Sequence, residues 1–233
     1  MIREPLCWFS FFVIMRIGDG MKETLTNYMN HLLQLTKRKE HFKMIGTTEE
    51  TIQEIEDKMG IAFPRSLRDF YLTMNGEQST FHGSFFGLMV YSIEEMYRVW
   101  EEWRVYDADE ELNDSEYYAS IVSNKVQCLY TNPLWIPLAH DGAGNYFGID
   151  LDPDEEGVVG QIINFGRDEN EKMVFADSLV EFIQLMDQYI EEEGIVIHED
   201  HENYLMIGVD GQGHGIDVLR TLLLEKEEEE PVA

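Results

Sequence analysis

Apolar residues recur with a helical period in residues 47–60. They fall on one face of a helix, at Ile52, Ile55 and Met59. Thr47 can cap the first turn while Glu50 reaches back as its partner in a capping box. Gly60 is expected to end the helix, because glycine is common just after the last helical residue. The pattern therefore predicts an amphipathic helix that buries one face.

A second helical pattern follows directly, after a hinge that contains proline. Pro64 stands where a new helix can begin, since proline fits the first helical turn. An apolar stripe at helical spacing comes next, at Leu67, Phe70, Tyr71 and Met74. Asn75-Gly76 is typical of a left-handed helix terminator. Together the two segments predict a helical hairpin.

A third amphipathic pattern begins at Ser92, which with Glu95 spells a capping box. Its apolar face contains two tryptophans and should turn toward the core, through Met96, Val99, Trp100 and Trp103. Residues 94–116 hold ten acidic residues and two arginines. The stretch YDADEELND at 106–114 is too polar to bury, so it predicts an exposed acidic loop.

Three strand patterns occupy residues 135–165. The first, at 135–139, contains Pro137, which favours a sheet edge or a bulge. Turn residues at 141–142 and the loop DPDEEG at 152–157 separate it from a second and a third strand. We therefore expect a three-stranded antiparallel meander. Ser178 then caps a helix whose apolar residues are Phe182, Leu185, Met186 and Tyr189.

The flanking segments also carry apolar patterns. Residues 21–46 predict a lead-in helix that packs on the domain, through Leu25, Met29, Leu32 and Leu33. Residues 193–224 predict an extension of the same globule with a further strand and helix. The acidic residues 225–233 predict a disordered tail.

Residues 1–20 form a doubtful N-terminal extension. The apolar run at 6–15 is far shorter than the roughly 20 residues of a membrane-spanning helix. Arg3 precedes it, but no small-residue cleavage site follows, so a signal peptide is weakly indicated. We expect Met21 to be the natural start, and no association with a membrane.

In this order, the elements at 47–192 resemble the SUKH superfamily, which includes bacterial immunity proteins of toxin systems and the fungal cell-wall assembly regulator. The similarity lies in the helical hairpin at 47–76, the Trp-Ile-Pro strand, the aspartate-rich strand end and the closing helix. It covers about three fifths of the chain and contains no catalytic signature. The resemblance implies an α+β fold, with a twisted, mainly antiparallel sheet surrounded by helices.

The charge of the chain restricts its partners. Seventeen basic and 46 acidic residues give a net charge of −29, and residues 44–233 alone carry −32. Such a surface repels polyanions, which argues against direct binding of nucleic acid. A basic protein is the natural complement, because long-range attraction speeds association, although acidity also serves solubility alone. Two cysteines, Cys7 and Cys128, make no disulfide framework and favour the cytoplasm.

The chemically suggestive motifs fail on inspection. Asp150, Asp152 and Asp154 alternate as in a calcium loop, but the sixth and twelfth positions lack the required glycine and glutamate. The histidines at 198, 201 and 214 lack zinc-ligand spacing. No Ser stands in a nucleophile motif. We expect no enzyme, no metal and no cofactor.

The resemblance and the acidity together favour an immunity protein that occludes a cognate toxin, with a basic nuclease as the expected partner. The alternative is a non-enzymatic scaffold or regulator of cell-wall assembly or signalling. Two partner-binding surfaces are expected, with tyrosines as anchors in the first. The first comprises Tyr106, Asp107, Asp109, Glu110, Glu111, Asp114, Glu116, Tyr117 and Tyr118. The second is the hairpin tip, with Asp152, Asp154, Glu155 and Glu156.

Overall fold

Five strands form the central sheet, and six helices lie in the part of the chain that is described. The computed structural model describes residues 20–36, 44–77, 82–107, 109, 111–113, 115–192, 195–199, 205–209 and 213–229. The helices are α1 (Met21–Thr36), α2 (Glu49–Met59), α3 (Arg65–Thr73), α4 (Ile93–Trp103), α5 (Leu179–Tyr189) and α6 (Gly215–Glu229). The strands are β1 (Met89–Val90), β2 (Ala119–Ser120), β3 (Trp135–His140), β4 (Asn145–Asp150), β5 (Gln161–Gly166), β6 (Glu171–Lys172), β7 (Val174–Ala176), β8 (Ile195–Glu199) and β9 (Leu205–Val209).

The central sheet has the order β1-β3-β4-β5-β7, and all its neighbouring pairs are antiparallel. Strands β3, β4 and β5 form the expected meander. The register shifts between Pro137 and Ala139, so the proline occupies a bulge, as predicted. The α+β prediction is confirmed.

Side-chain alternation gives the sheet two different faces. On one face, Phe147 packs edge-on against Phe182 of α5, with ring centroids 5.0 Å apart. On the other face, Tyr146 and Phe165 lie side by side, with centroids 5.3 Å apart. Gly148, two residues along β4 from Tyr146, has no side chain, and a Cβ there would lie 2.3 Å from the ring of Phe165. The glycine therefore leaves room for the ring of Phe165 on this second face.

The helix caps follow the local chemistry, with two corrections. Helix α3 ends at Thr73 with Met74 as an extended C-cap, φ −144°, so Asn75-Gly76 lies beyond the cap and is not the left-handed terminator that the sequence predicted. The N-cap of α2 is Thr48, whose Oγ1 accepts a hydrogen bond from the Thr51 amide, and not Thr47 as predicted from the sequence. Gly60 ends the helix in the left-handed conformation, with φ 69°. The capping box of Ser92 and Glu95 is present at α4. Ser178 caps α5, as expected.

The lead-in helix α1 packs on the domain against α3 and α5. Its apolar face is buried through Met21, Leu25, Tyr28, Met29, Leu32 and Leu33. The Tyr28 hydroxyl donates a hydrogen bond to the carbonyl of Ser84. His31 lies 2.8 Å from Asp187 on α5 and 3.2 Å from Glu191, just beyond the end of that helix. This helix is therefore part of the same globule.

The C-terminal residues add the hairpin β8–β9 and the helix α6, where the sequence had predicted one strand and one helix. The hairpin joins the domain through the Leu205 amide, which donates to the carbonyl of His82 at 2.8 Å. Helix α6 continues to Glu229, so residues 225–229 are helical and not disordered as expected. Lys226 there lies 3.1 Å from Glu192 and 4.1 Å from the ring centroid of Tyr189. Residues 230–233 and 1–19 lie outside the described residues.

The start of α6 is fastened to the β3–β4 turn by an ion pair. Nε2 of His214 lies 3.1 Å from Oδ2 of Asp141, whose side chain is only 7% exposed. This hydrogen bond raises the pKa of His214, against the effect of burial, and Asp217 and Glu169 add to the rise. Burial alone would raise the pKa of Asp141, but hydrogen bonds from His214, Asn145 and Ala143 lower it well below its ordinary value.

We predict that His214→Gln destabilises the chain more at pH 6 than at pH 8.5. Because the folded-state pKa of His214 is raised, the stability from the charged pair is complete below the unfolded pKa and is lost as the pH rises through the folded one. We expect about 1 kcal/mol at the acidic end for this partly exposed pair. Urea unfolding across this range measures it. An equal loss at both pH values would contradict a titrating pair.

Candidate interaction surface

A buried carboxylate holds together the segments that carry the predicted surfaces. Asp150, at the end of β4, is fully buried. Its Oδ1 accepts from the indole N–H of Trp135 at 3.1 Å and from the Asp152 amide at 2.9 Å. Its Oδ2 accepts from Nε2 of Gln161 at 2.8 Å. Gln161 also donates to the carbonyl of Lys125 at 2.9 Å, which ties the loop before β3 to the sheet.

Burial dominates the titration of this group. It raises the pKa of Asp150 to about 6, and the hydrogen bonds from Gln161, Asp152 and Trp135 only partly oppose it. Both carboxylate oxygens are engaged by the protein itself. Asp150 is thus a structural carboxylate, and the calcium-like spacing of Asp150, Asp152 and Asp154 does not form a loop of free ligands. Among the described residues, no group of three or more His, Cys, Asp or Glu could hold a metal ion.

The second predicted surface, the hairpin tip, is divided between structural and exposed carboxylates. Oδ2 of Asp152 accepts from Gln127 at 2.8 Å and from Asn132 at 2.9 Å. Asp154 accepts from the amide of Glu155 at 2.9 Å within its own turn. Glu155 and Glu156 are exposed. Of the four predicted residues at the tip, these two glutamates are therefore the most accessible to a partner.

The first predicted surface is similarly mixed. Asp107 turns inward, where its Oδ2 lies 3.2 Å from Nε of Arg104, and burial raises its pKa. Asp109 accepts from the amides of Glu111 and Leu112 at 3.1 and 3.3 Å, and so closes the turn. Glu111 and Glu116 are exposed. Glu110 and Asp114 lie outside the described residues.

The three predicted tyrosine anchors differ in exposure. Tyr117 is 67% exposed and Tyr106 is 40% exposed. Tyr118 is half-buried, because its ring packs 5.9 Å from Tyr130 and 5.2 Å from the Lys172 ammonium. The ring of Tyr106 also packs edge-on against Tyr130, with ring centroids 6.0 Å apart. Tyr130 thus brings the segments 104–106 and 115–118 together.

Sequence reasoning missed two exposed valines in the same region, Val105 and Val122, which are 72% and 48% exposed. Apolar side chains in an otherwise acidic stretch were the available signal. We define the aromatic patch as Val105, Tyr106, Tyr117, Tyr118 and Tyr130.

The aromatic patch is held in place from below. Oδ1 of Asn113 accepts from the amides of Tyr130 and Thr131 at 3.0 and 3.1 Å. The indole N–H of Trp103 donates to the hydroxyl of Tyr146 on β4 at 3.1 Å. A preorganised patch of this kind loses little entropy on binding. The arrangement suits recognition of another protein better than chemistry on a small molecule.

The SMI1 / KNR4 family (SUKH-1) matches residues 46–185, which are 140 of the 233 residues. The chain belongs to this family. The recognition of the SUKH superfamily from the sequence is therefore confirmed.

Three curated relatives indicate the branch of the SMI1/KNR4 family. A cell wall biosynthesis/cell cycle regulator of Schizosaccharomyces pombe is 31% identical, over 70% of this chain and 34% of its own length. The cell wall assembly regulator SMI1 of Saccharomyces cerevisiae is 26% identical, over 80% of this chain and 44% of its own. A glucan synthesis regulatory protein of Neurospora crassa is 27% identical, over 66% and 35%. The chain thus spans between a third and a half of these relatives.

These relatives correct the functional prediction. The immunity function is wrong, and so is the basic nuclease toxin as partner, because the relatives are named as regulators of cell-wall assembly and glucan synthesis. The resemblance covered both branches of the superfamily, and acidity is compatible with either one. No helix in the described ranges is long and apolar enough to cross a membrane.

We predict that Asp150→Asn changes the pH dependence of stability. With a folded-state pKa of about 6 against an ordinary value of 3.8, Asp150 contributes most stability below pH 4, and this contribution is lost as the pH rises through 6. The free energy of unfolding of the wild type, relative to the variant, should fall by about 2 kcal/mol from pH 4 to pH 7.

Chemical unfolding at several pH values checks this prediction. Glu155→Gln, which removes an exposed carboxylate from the neighbouring turn, is the control for the loss of a negative charge. A difference between wild type and Asp150→Asn that does not change with pH would contradict the prediction.

Proposed function

We propose that this chain is a non-enzymatic interaction module that regulates cell-wall assembly, with glucan synthesis as the process affected. The names of the SMI1/KNR4 relatives support this function. Because the chain spans less than half of each of these three relatives, the activity of the whole relatives reaches this chain only as part of the proposal. A cytoplasmic location remains a prediction.

One structural observation carries the mechanism: exposed apolar side chains lie on a rigid support within an acidic surface. Tyr117, Tyr106 and Val105 face solvent, and Tyr130 and Trp103 hold the segments that present them. Glu111 and Glu116 lie beside them in the chain and are exposed. Buried aromatic anchors account for most of the binding energy of such interfaces, while rim charges mainly affect the rate and orientation of association.

The chemistry of the buried groups supports a non-enzymatic role. Asp150 has the raised pKa that a general acid requires, but its oxygens already accept from Trp135, Gln161 and the Asp152 amide. A general acid must reach its substrate within hydrogen-bond distance. Asp150 is buried beneath its own loop and offers no such approach.

The proposal predicts a cell-wall phenotype for the double variant Tyr106→Ala/Tyr117→Ala in the organism that encodes this chain. Loss of both anchors should weaken partner binding by about 2 kcal/mol or more, roughly thirtyfold. We expect lower wall β-glucan and higher sensitivity to a wall-binding dye, close to those of a gene disruption.

Ile45→Ala is the matched control, because Ile45 is also an exposed apolar residue (59%) but lies outside the aromatic patch. Protein level should be unchanged in both variants, and the melting temperature of the double variant is compared with that of the wild type, because the Tyr106 ring also packs against Trp103 and Tyr130. If gene disruption leaves the wall normal, the regulatory function is refuted. If gene disruption harms the wall, but expression of the double variant in the disrupted strain restores a normal wall, the assignment to the aromatic patch is refuted.

A further inference from the structure

A groove with an apolar floor lies on each side of the hinge between α2 and α3. The hinge is residues 60–64, GIAFP. On one side is a concavity of about 740 Å³, bordered by Gln53, Asp57 and Arg68. On the other side is one of about 520 Å³, whose wall is formed by Leu134, Leu151 and Val159. Because both concavities share residues 60–63, we treat them as one hinge groove.

The hinge is fixed from its inner side. Glu56 accepts from the Phe63 amide at 2.6 Å through its side chain and from the Ile61 amide at 3.2 Å through its carbonyl. Arg68 holds the Glu56 carboxylate in place and lies 2.6 Å from Glu49. No strand in the described ranges pairs with residues 60–64. These contacts hold the hinge in place, and the groove is therefore preformed.

Apolar surface is left uncovered along the groove. Val159 is 67% exposed at its wall, and neighbouring Val158 is also exposed. Ala62 is exposed and small, so the floor stays open. Exposed apolar side chains grouped in a concavity, with a polar rim, are characteristic of binding sites.

The charges at the rim of the hinge groove indicate which class of ligand it would bind. Helix α2 carries five acidic residues and one lysine. The hairpin tip, which connects the lining residues Leu151 and Val159, adds four acidic residues, of which Glu155 and Glu156 are exposed. Of the nearby arginines, Arg68 is paired with Glu49 and Glu56, and Arg65 with Asp69. Lys58 on α2 lies over the ring of Tyr97, and Lys125 lies beside the hairpin tip, where its carbonyl accepts from the Asp154 amide. The rim is therefore strongly negative.

We propose that the hinge groove binds an extended segment of a partner protein in which an apolar side chain is flanked by lysine or arginine. The apolar side chain fills the space beside Val159 and Phe63. The basic side chains lie toward α2 on one side and toward Glu155 and Glu156 on the other. A nucleic acid is disfavoured by the same charges. The site is separate from the aromatic patch and does not depend on the proposed regulatory function.

Selection of random 12-residue peptides displayed on phage, against the full chain, tests this site. We expect enriched peptides to combine a large apolar residue with Lys or Arg on both sides. The affinity of a synthesised, fluorescently labelled winner is then measured by anisotropy. Ala62→Arg, which fills the groove and adds like charge, should weaken binding at least tenfold, and Glu155→Gln/Glu156→Gln should weaken it several-fold at low salt.

Tyr117→Ala, in the aromatic patch, is the control and should leave peptide binding unchanged. Ala62 and both glutamates are exposed, so the variants should fold, and their melting temperatures check this. The proposal is overturned if no peptide is enriched, if the winners lack basic residues, or if Ala62→Arg binds them normally. Concentration-dependent self-association that Ala62→Arg abolishes, without peptide binding, would also overturn it by identifying a second copy as the occupant.

Discussion

The hydrogen bonds of Asp150 are the constraint on which the rest of the structure depends. A buried carboxylate is costly unless its oxygens are bonded, and here Trp135, Gln161 and the Asp152 amide satisfy them. These partners come from β3, β5 and the hairpin tip. Through Gln161 the same network reaches Lys125 and so holds the segment 122–134. That segment supports the aromatic patch at Tyr130, so one buried carboxylate underlies both predicted surfaces.

The distribution of charge matters more than its total. Arg68, Arg104 and Arg220 are mostly buried against carboxylates, at Glu49, Glu56, Asp107, Glu169 and Asp217. Cations are thus used to stabilise the fold, and acidic residues outnumber basic ones on the surface that the structure describes. The result is a negative field that steers association with basic partners and is screened by salt. Such a field does not specify one biological partner. For this reason the relatives, and not the charge of the surface, decided between the immunity branch and the cell-wall branch of the superfamily.

Two histidine–carboxylate pairs attach the flanking segments to the rest of the domain. His31 connects α1 to α5, and His214 connects α6 to the β3–β4 turn. Each pair joins residues far apart in the sequence, at 31 and 187 and at 141 and 214. No local pattern predicts such contacts, because a surface histidine and a paired one look the same in a sequence. The lead-in helix and the C-terminal helix were nevertheless predicted, since their apolar stripes require a partner surface.

The sequence alone determined the elements whose causes are local. Apolar periodicity placed the helices and the meander, and Ser92, Ser178 and Gly60 marked helix ends, because a cap needs only neighbours in the chain. Tertiary structure decided which acidic residues face solvent. Asp107 and Asp152 turn inward while Glu155 stays exposed, although all stand in equally acidic stretches. Their distant partners, Thr131 for Asp107 and Gln127 and Asn132 for Asp152, are brought near by folding, and a carboxylate's burial depends on such distant groups.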